Sequence, residues 1–247
     1  MNTIKFDKNN TKVIAHRGLS GLETENTNSA FVAAGNRTYF GIETDIHITA
    51  DEKFIVIHDK ETSRVCDVNV NVEETNYDEL RKLRVNNICK YDVDGICKND
   101  ERGDLLLPNL AEYIGICRKY EKKSILELKG RFQPKHLQKL VDELGSFGYI
   151  DNVVFISFDL DTIIDLRKIM PDAQIQYLVE IYSPEILGIM NKYNFDLDIY
   201  YRTLTKKIID EVHQNGHIVN CWTVDDKDTA IQLSQWGIDY ITSNILE

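Results

Sequence analysis

Short β-branched runs alternate with longer segments of helical period along most of the chain, a pattern that predicts a parallel α/β fold. Strands are predicted over Val13–His16, Ile42–Ile46, Phe54–His58, Ser124–Leu128, Val153–Ser157, Gln174–Val179, Phe195–Tyr200 and His217–Val224. Helices are predicted over Asn26–Gly35, Leu110–Tyr120, Pro134–Leu144, Leu160–Ile169, Pro184–Asn191, Thr205–Gln214 and Asp226–Trp236. In the first of these, Ala30, Phe31 and Ala34 recur at helical spacing. Gly35 and Asn215-Gly216 supply stop signals for two of the helices. Eight alternating strands favour a (β/α)8 TIM barrel over an open doubly wound sheet. No glycine-rich dinucleotide fingerprint follows any strand, which points the same way. The run Ile238–Thr242 is one apolar segment too many for eight, and is expected to be a short extra strand or turn.

Two breaks in the alternation make the expected barrel a distorted one. Ile46 to Lys53 is too short for a crossover helix between parallel strands. Extended, it spans roughly 25 Å, enough to return along the barrel to the start of the next strand. The second break is the polar, charged stretch 59–107, where a single loop should follow the third strand. It contains one predicted helix, Thr75–Leu83, and such an insertion is expected to cap the barrel mouth.

With 247 residues, 43% of them hydrophobic, the chain fits one barrel with a full core, so residues 1–247 are expected to form a single domain. A formal net charge of -11 argues against nucleic acid or anionic lipid as a partner. An anionic substrate would then need local positive charge or a metal cation. No run approaches 18 apolar residues, so membrane insertion is not expected. The N-terminal residues show no signal-peptide pattern. Five cysteines at positions 66, 89, 97, 117 and 221, none in a CxxC pair, suit reduced packing thiols and a cytoplasmic location.

The active site of such a barrel lies at the C-terminal ends of its strands, and ionisable residues collect there. The first strand ends at His16-Arg17, the second carries Glu43 and Asp45, and the third ends at His58-Asp59. The fourth carries Glu127 and Lys129, and the eighth carries Trp222. Residues two apart on a strand point to one face, so Glu43 with Asp45, and Glu127 with Lys129, turn the same way. Three converging carboxylates suit a hard divalent cation, Mg²⁺ or Ca²⁺, better than zinc. In the blander reading, each carboxylate pairs with Arg17, Lys129 or Arg202. His16 and His58 flank the acidic group and suit a general acid and base. Arg17 and Lys129 are natural clamps for phosphate oxygens. His47 shares parity with Glu43 and Asp45 but lies beyond the predicted tip, and His136, His213 and His217 are expected to be structural. Together these residues predict metal-assisted cleavage of a phosphate ester.

In order along the chain stand His16-Arg17-Gly18, Glu25-Asn26-Thr27 with Ala30-Phe31, Glu43 through His58-Asp59, Glu127-Leu128-Lys129 and Trp222-Thr223-Val224. This series resembles the glycerophosphodiester phosphodiesterase family over nearly the whole chain. The resemblance implies a distorted TIM barrel without a helix between strands two and three and with an insertion after strand three. It implies hydrolysis of a small glycerophosphodiester to glycerol 3-phosphate and an alcohol. Glu43, Asp45 and Glu127 would bind the metal, and His16 and His58 would be the acid–base pair. Arg17 and Lys129 would contact phosphate, and Trp222 would line the glycerol or alcohol side. The chain departs from the family pattern at Thr24, where a proline is usual, and at Glu52, where a glycine is usual. At Thr242-Ser243-Asn244-Ile245 an acidic group expected near the mouth is missing. One alternative is a lysophospholipase D-like or phosphoinositide-cleaving enzyme on the same barrel, disfavoured because the insertion has few large apolar residues. The other is a non-catalytic glycerophosphodiester-binding module, which would be expected to have lost part of the site. Oligomeric state is not readable from the chain.

Overall fold

A computed structural model of the chain describes residues 2–85 and 103–247. Among the described residues nine strands form one sheet: β1 Lys12–Ala15, β2 Gly41–Ile48, β3 Phe54–Val56, β4 Lys123–Leu128, β5 Val153–Ser157, β6 Gln174–Val179, β7 Asp196–Tyr200, β8 Val219–Trp222 and β9 Tyr240–Ser243. Their spatial order is β1-β9-β8-β7-β6-β5-β4-β2-β3, and β1 also pairs with β2. That last pairing, with Ile14 opposite Gly41, closes eight parallel strands into a barrel. The helices are α1 Asn28–Gly35, α2 Tyr77–Leu80, α3 Leu110–Lys119, α4 Pro134–Ser146, α5 Leu160–Ile169, α6 Pro184–Tyr193, α7 Lys206–Gln214 and α8 Lys227–Gln235. The (β/α)8 class read from the pattern is the observed one.

The identity of the eighth barrel strand differs from the expectation. β3 is not in the barrel: it pairs antiparallel with β2, Val56 opposite Ile46 and Phe54 opposite Ile48. The eight-residue link therefore does not return along the barrel. It reverses in a tight turn, in which Glu52 N–H donates to the Thr49 carbonyl at 2.9 Å and Thr49 N–H donates to Lys53 at 2.9 Å. Glu52, standing where glycine is usual, takes φ +58° there. The supposedly surplus run Ile238–Thr242 supplies β9, which lies between β8 and β1 and completes the barrel.

Strand alternation sorts the side chains into two cores. Inside the barrel, Ile14, Ile125, Val154, Ile156, Leu178 and Tyr240 pack together. The opposite faces pack on the helices, as Val13, Ala15, Ile42, Ile46, Leu126 and Phe155 show. β3 alternates as well: Phe54 and Val56 join the main core, while Ile55 and Ile57 join Val65, Val72, Leu80 and Leu107 in a small cluster under the described part of 59–107. The helix predicted at Thr75–Leu83 shortens to α2, and residues 86–102 of that stretch lie outside the described residues. Cys66, Cys117 and Cys221 are buried free thiols; Cys89 and Cys97 lie outside the described residues. Among the described residues no helix is long and apolar enough to cross a membrane.

Candidate active site

The loop after β1 is shaped around Arg17 and Gly18, which both take left-handed backbone angles, φ +51° and +76°. A Cβ on Gly18 would fall 2.7 Å from the Ala30 carbonyl carbon, so only glycine lets this loop lie on α1. Arg17 has no such freedom, and its left-handed angle costs on the order of 1 kcal/mol. In return the Arg17 N–H donates to Glu43 Oε2 at 2.7 Å. Thr27 caps α1 by accepting from the Ala30 N–H at 3.3 Å, and its hydroxyl donates to the Thr24 carbonyl at 2.6 Å. Thr24 therefore serves the cap through its backbone, which a proline would do equally well. Asn26 braces the site: it accepts from Thr44 Oγ1 at 2.7 Å and donates to Asp45 Oδ2 at 2.9 Å.

Glu43, Asp45 and Glu127 converge as the strand parity predicts. One oxygen from each lies within 4.8 Å of the others, and the three residues are 2%, 0% and 8% exposed. Lys129 Nζ lies 2.8 Å from Glu127 Oε1 and 3.6 Å from Asp45 Oδ1, and Arg17 Nε lies 3.5 Å from Asp45 Oδ2. Burial, then the charges of Asp45 and Glu127, hold the Glu43 carboxyl well above its usual range. Burial and Asp45 push Glu127 up to about 8. Burial also acts to raise Asp45, but Arg17 and Lys129 outweigh it and hold that carboxyl low. Two cations thus share three buried carboxyl groups, and Asp45 Oδ1 has no hydrogen-bond partner. Orphan oxygen, excess acid and an all-oxygen donor set together fit a hard divalent cation. Pairing with basic residues accounts for only part of the cluster, and Arg202 takes no part in it, its guanidinium lying over the Tyr201 ring instead.

The two histidines reach the site from different directions. His16 follows β1 directly, and its Nδ1 lies 2.8 Å from Asn244 Oδ1. Burial and neighbouring Arg17 lower its pKa to about 4. His58 arrives through the β2–β3 hairpin: the Ile57 N–H donates to the Asp45 carbonyl at 3.2 Å, and the next residue falls at the mouth. Its Nδ1 lies 2.6 Å from Asp59 Oδ1, and burial lowers its pKa despite nearby Asp45. His47 lies within β2, not beyond it, and its Nε2 contacts the His58 carbonyl at 3.0 Å, so it holds the chain carrying the second histidine. The remaining histidines sit elsewhere, His213 against Asp239 and His217 against Asn191, with His136 on α4.

A cavity of about 70 Å³ opens between these groups, lined by His16, Arg17, Glu43, His58, Glu127 and Lys129. Ile156, Phe158, Leu178 and Trp222 add an apolar part to the wall. Every site residue expected from the chain lines this cavity except Asp45, which lies beneath it in the carboxylate cluster. Sequence reasoning missed several groups around it. Asp198, 1% exposed on β7, lines the floor with one oxygen unpartnered, and burial with Glu127 nearby holds its carboxyl well above the usual range. An inward-facing acid on an apolar strand, Asp198 between Leu197 and Ile199, was the available signal. Glu25, Asp59 and Arg64 form an ion-pair chain: Arg64 reaches Glu25 at 2.7 Å and also bonds Asp59, and Glu25 reaches Arg17 at 2.8 Å. Asn244 and, behind it, Asp225 back His16; the stretch holding Asn244 stood out only as a departure from the family pattern, and nothing local marks Asp225.

The sequence pattern of the glycerophosphoryl diester phosphodiesterase family matches residues 16–246. A glycerophosphodiester phosphodiesterase from Caldanaerobacter subterraneus subsp. tengcongensis is 26% identical over 238 residues, covering 95% of this chain and 94% of the relative. A mouse lysophospholipase D is 40% identical over 101 residues, 40% of this chain and 31% of the relative. The fold resembles that of an Oleispira antarctica phosphodiesterase solved in complex with its product sn-glycerol-3-phosphate. The TM-score is 0.85 at 22% identity, and the match covers 95% of this chain and 93% of that one.

Proposed function

The chain belongs to the glycerophosphoryl diester phosphodiesterase family, whose members are phosphoric diester hydrolases, and on that premise we propose that it cleaves glycerophosphodiesters to glycerol 3-phosphate and an alcohol with a divalent metal and two histidines. The observation that carries this reading is a cluster of three buried carboxylates, two of them lining one cavity with two histidines and two cations. Glu43, Asp45 and Glu127 would hold Mg²⁺ or Ca²⁺, which supplies Lewis-acid polarisation of the phosphoryl oxygens when bound. Arg17 and Lys129 bind phosphate oxygens, the first through its fork and the second as a point charge. His16 and His58 divide the proton work: one takes the proton of the attacking hydroxyl, the other gives one to the departing alcohol oxygen. Trp222 lines the substrate from the apolar wall. Residues 1–247 act as one barrel domain with 59–107 as a cap over the mouth; the Arg64 bridge from that stretch to Glu25 supports this. The three buried free thiols suit a reducing, cytoplasmic setting.

Product analysis on a panel of glycerophosphodiesters, with chelator and with each metal restored, tests the reading. Glycerol 3-phosphate should appear, vanish with chelator and return with metal. His16→Ala and His58→Ala should each lower kcat by about 10²- to 10⁴-fold. A second reading, lysophospholipase D-like cleavage, draws on the local likeness to the mouse enzyme and on Phe158 and Ile181, which are 46% and 67% exposed after β5 and β6. Turnover of lysophosphatidylcholine without turnover of glycerophosphocholine would put that reading first.

A further inference from the structure

Asn244 follows β9 at the barrel mouth, and its side chain is held at both ends. Its Nδ2 donates to Asp225 Oδ2 at 2.6 Å. Its Oδ1 lies 2.8 Å from His16 Nδ1 and 2.6 Å from Ser20 Oγ. Asp225, on the loop before α8, is fixed in turn by the Asn244 backbone N–H at 2.8 Å and by Ser243 Oγ at 3.0 Å. A carboxylate only accepts, so the amide cannot turn round without setting its carbonyl oxygen against an oxygen of Asp225. Oδ1 therefore faces His16. It has no proton to give, so His16 Nδ1 must be the donor. His16 lines the cavity, and Nε2 is the ring nitrogen left to serve it.

We propose that Asn244, locked by Asp225, is the positioning residue that holds His16 as its Nδ1-protonated tautomer and presents a bare Nε2 to the substrate. The Asp225 carboxylate thus stands one step back from the ring, with the Asn244 amide in contact with it. The proposal rests on His16 being one of the two proton-transfer groups. In the resting enzyme His16 can then take a proton and cannot give one, which leaves the donor's part to His58.

Nitrogen-15 NMR of the imidazoles in the whole protein reads the tautomer directly, with His16→Gln identifying the signal. The wild type should show an Nδ1–H, bare-Nε2 pattern for His16. Asn244→Leu should lose it and lower kcat by about 10- to 100-fold, with KM changed less than threefold. Asp225→Asn, which lets the amide face either way, should give both tautomers. The exchange Asn244→Asp with Asp225→Asn restores an acceptor at Nδ1 with a donor behind it, and should recover both the signature and most of kcat. A merely structural role for Asn244 would not be repaired by that exchange. An Nε2–H tautomer in the wild type, or full kcat in a folded Asn244→Leu variant, overturns the proposal. An Nδ1–H tautomer in a wild type that turns over no phosphodiester would instead remove the hydrolytic reading of the site.

Discussion

Three carboxyl groups buried at one end of a barrel cannot all keep their charge without help, and the raised pKa values of Glu43 and Glu127 state that cost. Glu127 moves from the usual 4.5 to about 8. Between those limits the folded protein holds a proton that the unfolded chain has released. Its contribution to stability is therefore whole below pH 4.5 and is lost as pH rises through about 8. A cation must displace the same protons, so its binding strengthens over that window. Adding Mg²⁺ or Ca²⁺ to chelator-treated protein should accordingly raise the melting temperature more at pH 8 than at pH 5.5. At a hundred times the Kd the gain is about 2.7 kcal/mol. Differential scanning fluorimetry at the two pH values checks this, and equal shifts would count against the carboxylate cluster as the metal's seat. His16 acts with the opposite sign, since its lowered pKa makes stability fall as pH drops from 6.5 toward about 4. The residues of this cluster were legible because a strand's period of two assigns faces from the sequence alone. Asp198, Asp225 and the part played by Asn244 were not, since their partners come from other elements.

The β2–β3 hairpin delivers His58, and it was the least legible element. Tight hairpins announce themselves by Asn-Gly or Asp-Gly, whereas this turn runs Thr49-Ala50-Asp51-Glu52-Lys53 and puts Glu52 at the left-handed position. Thr49 Oγ1 supports it by donating to Asp51 Oδ1 at 2.7 Å and accepting from the Lys53 N–H at 3.0 Å. With the glycine signal absent, the segment read as an extended return. Helix ends were easier to place, because their caps are local: Asp159, Ser183, Thr205 and Asp226 each accept from a backbone N–H three residues on. Gly35 was read as a helix stop, yet it owes its place to packing as well. A Cβ there would lie 2.4 Å from the Tyr120 ring, within the contact of α1 with α3. Gly35→Ala should therefore destabilise the fold by about 1–3 kcal/mol. Its urea midpoint should fall while kcat at low temperature stays near wild type, and an unchanged midpoint would show that Tyr120 moves aside freely.

At the scale of the molecule, closure depends on β9, which bonds to both β8 and β1. Deleting Tyr240–Glu247 should leave two open strand edges, exposing hydrogen-bonding groups that only a closed barrel satisfies. The shortened protein should lose its cooperative thermal transition and elute as aggregate on gel filtration. A folded monomer would mean that the eight-strand closure is dispensable. The alternation of strands and helices, and the gathering of acids, histidines and cations at one end of the strands, were determined by the sequence itself. Both follow from backbone periodicities that act within a few residues. Only the tertiary structure decided which apolar run closes the barrel, that β3 leaves it, and which group stands behind His16. His16 meets Asn244 across 228 residues of chain, and no local period carries information over that distance. Such partners are chosen when the ends of the chain are brought side by side, and that happens only on folding.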